Sequence, residues 1–390
     1  MKKIRIRFLI LHYFPIYSGA ASALSKLINE LNKDEFEIEI ITTHLFKHKR
    51  NDFHDGVKIK RIGYGFFGND GLLNWFGKLS FFISLSFFSF YSKRYDILHL
   101  IGSGKLSLPA LFFSNIYNKK KVNKITRVGD DDPLTMGKSF FGRIVNNMLN
   151  KNTKHLIISP QILEICENQE KWNKESLYLV PNPVVLKFKK WNELNKIRNK
   201  IKTEDEKKQP KFLFAGVIAR HKGIHILVDL WNKYDFKGQL IICGVDLPSG
   251  GSAEIIENIN KNDNIIWKGR LNKEELEKEY LSSTAFLFPS FVEGLPNVML
   301  ESMSLGLPCI ANKIKGVTDF LLENNRGVLV DDNDNNVWKT IIEELIFFND
   351  ITEKRNKEIS LNAHNWVSTN ADSKIICAKI ENIYLDFWKN

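Results

Sequence analysis

The sequence predicts an α/β fold of two Rossmann-like, doubly wound domains separated by a cleft. Its 390 residues exceed what one hydrophobic core usually organises. Short apolar runs also alternate with amphipathic helical segments along the chain, which is the βαβ pattern of parallel sheets. We therefore expect an N-terminal domain over residues 1–182 and a C-terminal domain over residues 183–372. A last helix at about 373–390 is placed to pack back on the first domain.

Twelve apolar runs predict the strands, six in each domain. In the first domain they cover residues 4–11, 36–42, 57–62, 97–101, 124–128 and 155–159. In the second they cover residues 212–215, 239–243, 265–268, 285–289, 308–311 and 327–330. The polar, Lys-rich stretch 187–211 between the two series predicts a helix and a loop that join the domains.

Composition indicates a globular protein of a reducing compartment. The four cysteines lie far apart with no C-x-x-C pair, which argues against a disulfide framework or a structural zinc site and favours the cytoplasm. Basic residues before the first apolar run superficially resemble a signal peptide. The alternation of Ile4, Ile6 and Phe8 with Arg5 and Arg7 favours a strand instead.

The net charge of +11 is concentrated in the N-terminal half. Residues 1–180 contain 27 Lys and Arg against 16 Asp and Glu, whereas the remainder is balanced. A basic face attracts phosphate-rich partners, which include nucleic acid, anionic lipid headgroups and diphosphate-linked substrates. No helix-turn-helix, zinc or aromatic RNA-recognition pattern accompanies the charge, so nucleic acid is not an expected partner.

Residues 72–91 form an aromatic, apolar segment that ends at Lys93 and Arg94. Its uninterrupted apolar part is shorter than a membrane-spanning helix requires. Phe81, Leu85 and Phe88 share one helical face, which predicts a core helix; an interfacial helix in peripheral contact with an anionic membrane is the alternative. A helix that packs on its sheet and exposes aromatic side chains to lipid satisfies both interpretations.

The strongest chemical signal is a pair of glutamates around a predicted helix start. After the strand that ends at Pro289, Glu293 lies in a Gly-Leu-Pro turn and Glu301 about one turn into the following helix. Backbone N–H groups at the start of this helix suit sugar hydroxyls or phosphate, and carboxylates bind vicinal hydroxyls. The expected N–H donors are those of Leu295, Asn297 and Val298.

A second signal is the glycine turn that follows the strand at 212–215. Arg220 and Lys222 lie beside this turn, between Gly216 and Gly223. Two cations there can neutralise a departing diphosphate. The alternative interpretation makes them solvated loop charges. No G-x-G-x-x-G follows any strand, which disfavours a nicotinamide enzyme.

These motifs together resemble the family-4 (group 1) retaining glycosyltransferases of the GT-B fold. The segment Pro-Ser-x-x-Glu-Gly with its second Glu in Glu-Ser-Met, followed by Gly-x-Pro, is similar to the family signature. The resemblance implies that Glu293 binds the transferred sugar, Glu301 the ribose, and Lys222 the diphosphate. We expect Glu293 and Lys222 to be catalytic on this basis, and Arg220 to be catalytic because of its charge beside the glycine turn.

Weaker motifs extend the resemblance over essentially the whole chain. Gly216 begins a loop similar to the phosphate-binding loop of the family, and Gly19 lies in a segment that looks like the N-terminal loop near the donor phosphates. Arg270 follows the strand that the resemblance places beside the nucleotide base. Val180-Pro181-Asn182-Pro183 resembles the segment entering the hinge between the domains.

Several residues depart from the family pattern. Val217 occupies a position that is usually Arg, and we expect Arg220 to replace it from the other side of the turn. Where the family often has a His after the fifth strand, this chain has Asp130, Asp131 and Asp132, which can supply an acceptor-side base or cap a helix. His99 is a further acceptor-side candidate, with a structural role as the alternative. Asp319 stands where the family often has Glu.

The resemblance implies a retaining transfer from a nucleotide-diphosphate sugar, with UDP the expected nucleotide, and needs neither a metal nor another cofactor. The expected acceptor is a saccharide, lipid-linked, in bacterial surface polysaccharide biosynthesis: O-antigen, capsule or exopolysaccharide. The expected location is the cytoplasm, with a peripheral position on the inner face of the cytoplasmic membrane. A non-catalytic nucleotide-sugar-binding member of the same fold and a nucleotide-sugar epimerase are the alternatives.

Overall fold

A computed structural model of the chain describes residues 3–15, 18–45, 48–64, 72–170, 172–201, 209–247, 250–331, 334–347 and 350–389. The chain divides into two compact units. The first, here the N-terminal unit, comprises Met1–Val185 together with Ser373–Asn390, and the second, the C-terminal unit, comprises Leu186–Asp372.

The N-terminal unit is built on an eight-stranded sheet. Its strands are β1 (Ile4–Ile10), β2 (Phe36–Thr43), β3 (Asn51–His54), β4 (Val57–Ile62), β5 (Ile97–Ile101), β6 (Lys120–Ile125), β7 (Thr153–Ile157) and β8 (Leu177–Leu179). They lie in the order β3-β4-β2-β1-β5-β6-β7-β8, with β3 antiparallel to β4 and the other neighbours parallel. The α-helices described in this unit are Gly19–Glu30, Leu72–Tyr91, Leu108–Ile116, Pro133–Gly137, Phe140–Leu149, Pro160–Glu167 and Ser373–Lys389.

The C-terminal unit is built on a six-stranded, wholly parallel sheet. Its strands are β9 (Lys211–Ala215), β10 (Gln239–Cys243), β11 (Ile265–Gly269), β12 (Ala285–Phe288), β13 (Cys309–Asn312) and β14 (Val328–Val330). Their order is β11-β10-β9-β12-β13-β14, the doubly wound arrangement with its switch point between β9 and β12. The helices described here are Trp191–Ile201, Ile224–Lys233, Ser252–Ile259, Lys273–Ser282, Asn297–Ser304, Thr318–Leu322, Asn335–Ile346 and Asp350–Asn370.

The prediction of two Rossmann-like α/β domains is confirmed, but the sequence missed strands β3 and β8 and misplaced β6. The sequence predicted a strand at 124–128, whereas β6 runs over Lys120–Ile125. Its polar residues obscured the strand, because Lys121, Asn123 and Lys124 are all buried in the structure. Lys121 donates a hydrogen bond to the Asn115 side chain, which partly compensates the burial of its charge.

The helix predicted in the stretch 187–211 forms as Trp191–Ile201 and packs within the C-terminal unit. Its buried Arg198 donates to the carbonyl oxygens of Tyr280 and Ser283, at 3.0 and 3.1 Å, and also to that of Leu305. Burial lowers the pKa of this guanidinium to about 10, so it stays charged at neutral pH. Three carbonyl acceptors thus tie the helix to the unit.

The aromatic helix Leu72–Tyr91 packs on the sheet of the N-terminal unit along one face. Phe81 and Leu85 are buried, as predicted, and Phe88 is partly buried beneath the Arg7 guanidinium. Gly63 allows the close approach, because a Cβ there would lie 2.6 Å from the Phe81 Cα. Over the parts of the chain that the structure describes, no helix has the length and hydropathy needed to cross a bilayer.

The last helix, Ser373–Lys389, completes the core of the N-terminal unit. Its Ile376, Ile380 and Tyr384 are buried among side chains of β1, β2 and the helix Gly19–Glu30. The Tyr384 hydroxyl also shares a hydrogen bond with Nδ1 of buried His99. The core of the N-terminal unit therefore combines residues of the first strand with residues of the last helix.

We predict that Tyr384→Ala destabilises the N-terminal unit by about 3–5 kcal/mol, because it opens a large cavity and leaves His99 without its partner. Tyr384→Phe keeps the packing and should cost about 1–2 kcal/mol. Urea unfolding followed by circular dichroism measures both changes. Ile375→Ala, at a 44% exposed position of the same helix, is the control; equal effects for Tyr384→Ala and this control would contradict the packing role.

Candidate active site

The glycine turn after β9 is held tightly against the loop that follows β12. Arg220–Lys222 form a turn of 3-10 helix that ends at Gly223, whose φ is +69°. A Cβ at Gly223 would lie 1.9 Å from the carbonyl oxygen of Pro289, so only glycine fits there. The Phe291 amide also donates to the His221 carbonyl at 3.1 Å. These contacts fix Lys222 next to the predicted glutamate loop.

Lys222 and Glu293 form an ion pair at the centre of this arrangement. The distance from Lys222 Nζ to Glu293 Oε1 is 2.6 Å, and their side chains are only 23% and 12% exposed. The Ser290 hydroxyl, which is fully buried, donates to the same oxygen at 2.8 Å. An ammonium has three N–H donors, so Lys222 can hold an anionic ligand while it remains bonded to Glu293.

The second glutamate lies one turn into the following helix, as predicted. Glu301 is the fifth residue of the helix Asn297–Ser304 and is partly exposed. The N-cap residue is Pro296, whose side chain has no acceptor for the first N–H groups of this helix. Asn297 and Val298 are partly exposed in its first turn, whereas Leu295 is buried. The helix N-terminus is therefore positioned to contribute partial positive charge near Glu293.

A buried asparagine supports the glutamate loop from beneath. Asn312 at the end of β13 donates through Nδ2 to the Pro289 carbonyl and accepts from Trp338 Nε1 at 3.0 Å. At the other end of the helix, His364 Nδ1 makes a 2.8 Å hydrogen bond with the Ser304 carbonyl. The loop and its helix are thus anchored at both ends. From the sequence, the serine of the Pro-Ser-x-x-Glu-Gly segment was given no role, and Asn312 and His364 were missed, since nothing in their spacing reveals these contacts.

Arg220 points to a different partner from Lys222. Its guanidinium forms an ion pair with Glu254 in the helix Ser252–Ile259, and the two side chains are 55% and 67% exposed. An ion pair this exposed contributes about 0–1 kcal/mol, so Arg220 is readily released from it. The expectation that Arg220 replaces an arginine at position 217 stays a prediction.

The loop after β10 packs against the loop after β9. Gly216 donates its N–H to the Cys243 carbonyl at 2.9 Å, and a Cβ at Gly244 would lie 1.8 Å from the Gly216 carbonyl oxygen. Trp267 on β11 covers this contact, because its Nε1 donates to the Gly244 carbonyl at 2.9 Å. Arg270, exposed just after β11, lies at the same carboxyl edge of the sheet. Gly244 and Trp267 were not among the predicted residues.

Asp319 serves its own turn. Its carboxylate accepts from the amides of Val317 and Phe320, at 3.1 and 2.7 Å, at the start of the helix Thr318–Leu322. The preceding Gly316 has a positive φ of 67°. This carboxylate therefore accepts hydrogen bonds within its own turn and stabilises the loop after β13.

In the N-terminal unit, the three aspartates have different environments. Asp130 is exposed and pairs with Arg127 at 3.3 Å. Asp131 is buried and accepts from the Thr126 amide and hydroxyl, at 2.7 and 3.0 Å, and from the Arg127 amide. Burial raises the pKa of Asp131 to about 7, against the opposing effect of these hydrogen bonds. Asp132 caps the helix Pro133–Gly137 through the Thr135 amide.

His99 and Gly19 are placed very differently from each other. His99 is fully buried against Phe8 and Tyr384, and burial holds its pKa well below the usual value. This placement favours the structural role over that of an acceptor-side base. Gly19 is exposed as the first residue of the helix Gly19–Glu30, whose N-cap Ser18 accepts from the Ala21 amide.

Lys124 is a further cation that the sequence did not single out. It lies near the carboxyl end of β6 and is only 7% exposed, and burial lowers its pKa to about 8. No carboxylate of the described residues lies within ion-pair distance of its ammonium. Lysine is usually an exposed residue, so the sequence could not reveal that Lys124 is buried.

Comparison with known proteins finds a family model that matches part of the chain. Residues 195–366 match the family model described as glycosyl transferases group 1. The capsular polysaccharide biosynthesis glycosyltransferase CapM of Staphylococcus aureus is 28% identical over 182 residues, which cover 45% of this chain and 46% of that protein. This chain aligns with 67%, 46% and 37% of the length of three curated relatives, so it spans only part of most of them.

Solved structures resemble the whole chain at low sequence identity. Sucrose-phosphate synthase from Thermosynechococcus elongatus superposes with a TM-score of 0.77 at 18% identity, over 99% of this chain and 100% of that one. Anabaena Alr3699/HepE, in complex with UDP and glucose, superposes with a TM-score of 0.73 at 16% identity, over 98% and 99% of the two chains. The chain thus has the two Rossmann-like domains of the GT-B fold, and residues 195–366 of it match the group 1 glycosyl transferase model.

Proposed function

We propose that this chain is a retaining hexosyltransferase of family 4 that transfers a sugar from a nucleotide-diphosphate sugar, UDP-linked, to a lipid-linked saccharide. The product belongs to bacterial surface polysaccharide, and the reaction takes place in the cytoplasm. The observation that carries the proposal is the Lys222–Glu293 ion pair at the start of the helix Asn297–Ser304. It puts a cation, a carboxylate and a helix N-terminus at one carboxyl edge of a parallel sheet.

The known relatives support the choice of donor and pathway. The Anabaena neighbour was solved with UDP and glucose, which favours UDP as the nucleotide. The Staphylococcus aureus relative is named for capsular polysaccharide biosynthesis, which favours a surface polysaccharide as the product. In the proposed site, Glu301 binds the ribose hydroxyls, Arg270 lies beside the base, and Glu293 orients the transferred sugar.

In the proposed reaction, the bond between the anomeric carbon and the diphosphate oxygen breaks as the acceptor oxygen bonds to the same face of the sugar. The acceptor proton leaves with the diphosphate. Lys222 and the first N–H groups of the helix Asn297–Ser304 stabilise the negative charge that develops on the leaving group. Arg220, released from Glu254, adds a second cation. This arrangement supplies the positive charge without a metal ion, and no other cofactor takes part.

On the acceptor side, Asp130 is the described residue best suited to contact a substrate, because its side chain is 63% exposed. Lys124 lies near the carboxyl end of β6 but is only 7% exposed, so we assign it no contact with the acceptor. Asp131 and Asp132 are engaged in holding their own loop, so we assign them a structural role.

A nucleotide-sugar-binding protein without transferase activity is the second candidate. It is favoured by Val217, where the family usually has arginine, and by the pairing of Arg220 with Glu254. With both features, Lys222 is, among the described residues, the one cation proposed for the diphosphate that does not depend on a rearrangement, so the site has less positive charge for the leaving diphosphate. Donor binding without turnover, with any saccharide acceptor supplied in detergent, would favour this second candidate.

We predict that Lys222→Ala and Glu293→Ala each lower kcat by about 100-fold or more, because each removes a group that acts on the reacting sugar diphosphate. Both variants should remain folded by circular dichroism. Turnover is measured by release of UDP from a UDP-sugar with a saccharide acceptor. Lys187→Ala, which breaks the ion pair with Glu277 in the same unit, is the matched control and should keep full activity. Full activity in both site variants would refute the site.

We predict that UDP-sugars raise the melting temperature more than GDP- or ADP-sugars do. A ligand at about 100 times its Kd stabilises the folded state by about 2.7 kcal/mol. Glu301→Ala should abolish most of the shift, since it removes the ribose contact. A thermal-shift panel tests this, with Glu277→Ala as the control for a carboxylate lost elsewhere in the unit. A larger shift with a GDP- or ADP-sugar would overturn the choice of nucleotide.

We predict that the new glycosidic bond keeps the anomeric configuration of the donor sugar. Front-face attack leaves the configuration unchanged, because the acceptor enters on the side from which the diphosphate departs. Proton NMR coupling constants of the purified product, formed in the presence of EDTA, report the configuration. An inverted product, or activity that returns only on addition of a divalent metal, would contradict the proposed mechanism.

A further inference from the structure

The aromatic helix Leu72–Tyr91 carries a second apolar stripe that the core does not cover. Its residues follow one another at intervals of three and four, and all are exposed: Phe76, Leu79, Ile83, Phe87 and Phe90. Phe87 alone is 62% exposed. Scattered apolar residues are normal on a protein surface, but a continuous stripe of this length marks a surface that binds something.

The stripe continues onto the neighbouring helix Leu108–Ile116. Phe90 contacts Phe113 with 5.7 Å between ring centroids, and the Tyr117 hydroxyl donates to the Phe90 carbonyl at 2.9 Å. On the outer side of this second helix, Phe112 and Ile116 are exposed one turn apart. The two helices therefore present one connected apolar surface, which we call the apolar face.

A third helix of the same layer adds two more aromatic side chains. The helix Phe140–Leu149 joins Leu108–Ile116 through Asn115 Nδ2, which donates to the Met148 carbonyl at 3.4 Å. At its start, Phe140 and Phe141 are 64% and 54% exposed. The loop at the carboxyl end of β6 leads to this helix through the short helix Pro133–Gly137, and that edge is where a parallel sheet binds its ligands.

The charged side chains on these helices and just after the aromatic helix are basic. None of the three helices contains Asp or Glu. Lys78 lies within the aromatic helix and is exposed, and Lys93 and Arg94 follow its end. Lys93 Nζ lies 4.7 Å from the centre of the Tyr117 ring, so this cation borders the apolar surface. Apolar side chains bordered by cations complement a bilayer that contains anionic lipids.

Like charges disfavour a second copy of the chain as the occupant. A two-fold dimer through the apolar face would bring the same basic residues of both copies together. Like-charge juxtaposition of this kind opposes association. An anionic bilayer instead supplies both a hydrocarbon boundary for the aromatic rings and negative charge for the lysines.

We propose that the apolar face docks the N-terminal unit on the surface of an anionic lipid bilayer. The aromatic helix lies along the interface, with Phe76, Ile83 and Phe87 inserted at the level of the headgroups. Lys78, Lys93 and Arg94 contact lipid phosphates. This docking goes beyond the proposed sugar transfer and needs none of its residues, although it would bring the enzyme to a lipid-linked acceptor.

Sedimentation with large vesicles tests the proposal. The full chain should bind vesicles of phosphatidylglycerol and phosphatidylcholine, bind pure phosphatidylcholine much less, and lose binding as salt rises. Ile83→Glu/Phe87→Glu should lower the affinity for the anionic vesicles by about tenfold or more. Phe347→Glu/Ile351→Glu, which changes two exposed apolar residues of the C-terminal unit, is the matched control and should bind like wild type.

A second variant protects the test from a folding defect. Lys93→Glu/Arg94→Glu changes only exposed charges and should also weaken binding to anionic vesicles. All variants should keep the thermal shift that UDP gives with wild type, because the proposed donor site lies in the C-terminal unit. If UDP gave no thermal shift with any of these proteins while vesicle binding behaved as expected, the result would count against the proposed function and not against the docking. Absence of vesicle binding by wild type, or unchanged binding by both variants, would overturn the docking proposal. So would a wild-type dimer that the Ile83/Phe87 variant dissociates.

Discussion

The approach of Gly223 to the Pro289 carbonyl determines the geometry of the site, because it brings together two loops that are about 70 residues apart in sequence. At 1.9 Å from a built Cβ, that oxygen leaves no room for any side chain. Lys222, one residue before the contact, and Glu293, four residues after it, then meet directly. Asn312 donates a hydrogen bond to the same carbonyl oxygen, so a second contact fixes the position of the loop.

The resulting ion pair is mostly buried, which has consequences for both partners. A charge in such a place is costly unless it is paired and hydrogen-bonded. Glu293 meets this requirement through Lys222 and Ser290, and its second oxygen remains available to a sugar hydroxyl. The site is therefore held in a defined shape by the same groups that would act on a donor. Arg220, at an exposed position, lacks this constraint.

The two units differ in how they use charge. The C-terminal unit is nearly neutral and concentrates its functional charges at one sheet edge. The N-terminal unit contains the whole basic excess, and part of it is buried: Lys121 and Lys124 lie inside the sheet, at a cost in desolvation that lowers the pKa of each to about 8. Its exposed cations instead border aromatic side chains, as Lys93 does beside Tyr117. One surface thus combines apolar and positive character.

The aromatic helix illustrates the limit of periodicity as a signal. Phe81 and Leu85 were correctly predicted to face the core, because a helix on a sheet must bury one face. A segment that is apolar all round does not, however, reveal which of its other faces stays exposed. Only the packed structure showed that the side chains of the stripe from Phe76 to Phe90 are exposed among the described residues.

The amino-acid sequence by itself determined the parallel α/β architecture, since apolar strands and amphipathic helices each have a local pattern of apolar and polar residues. The positions of Glu293 and Glu301 around a helix start could also be predicted, because the Gly-Leu-Pro turn marks where that helix begins. The strand at β6 was misplaced, since its buried lysines look like surface residues. Which side chains meet was decided by tertiary structure alone: Lys222 with Glu293, Asn312 with Pro289, and His99 with Tyr384 from the far end of the chain. Such contacts depend on the close approach of distant backbone segments, and no local pattern encodes that distance.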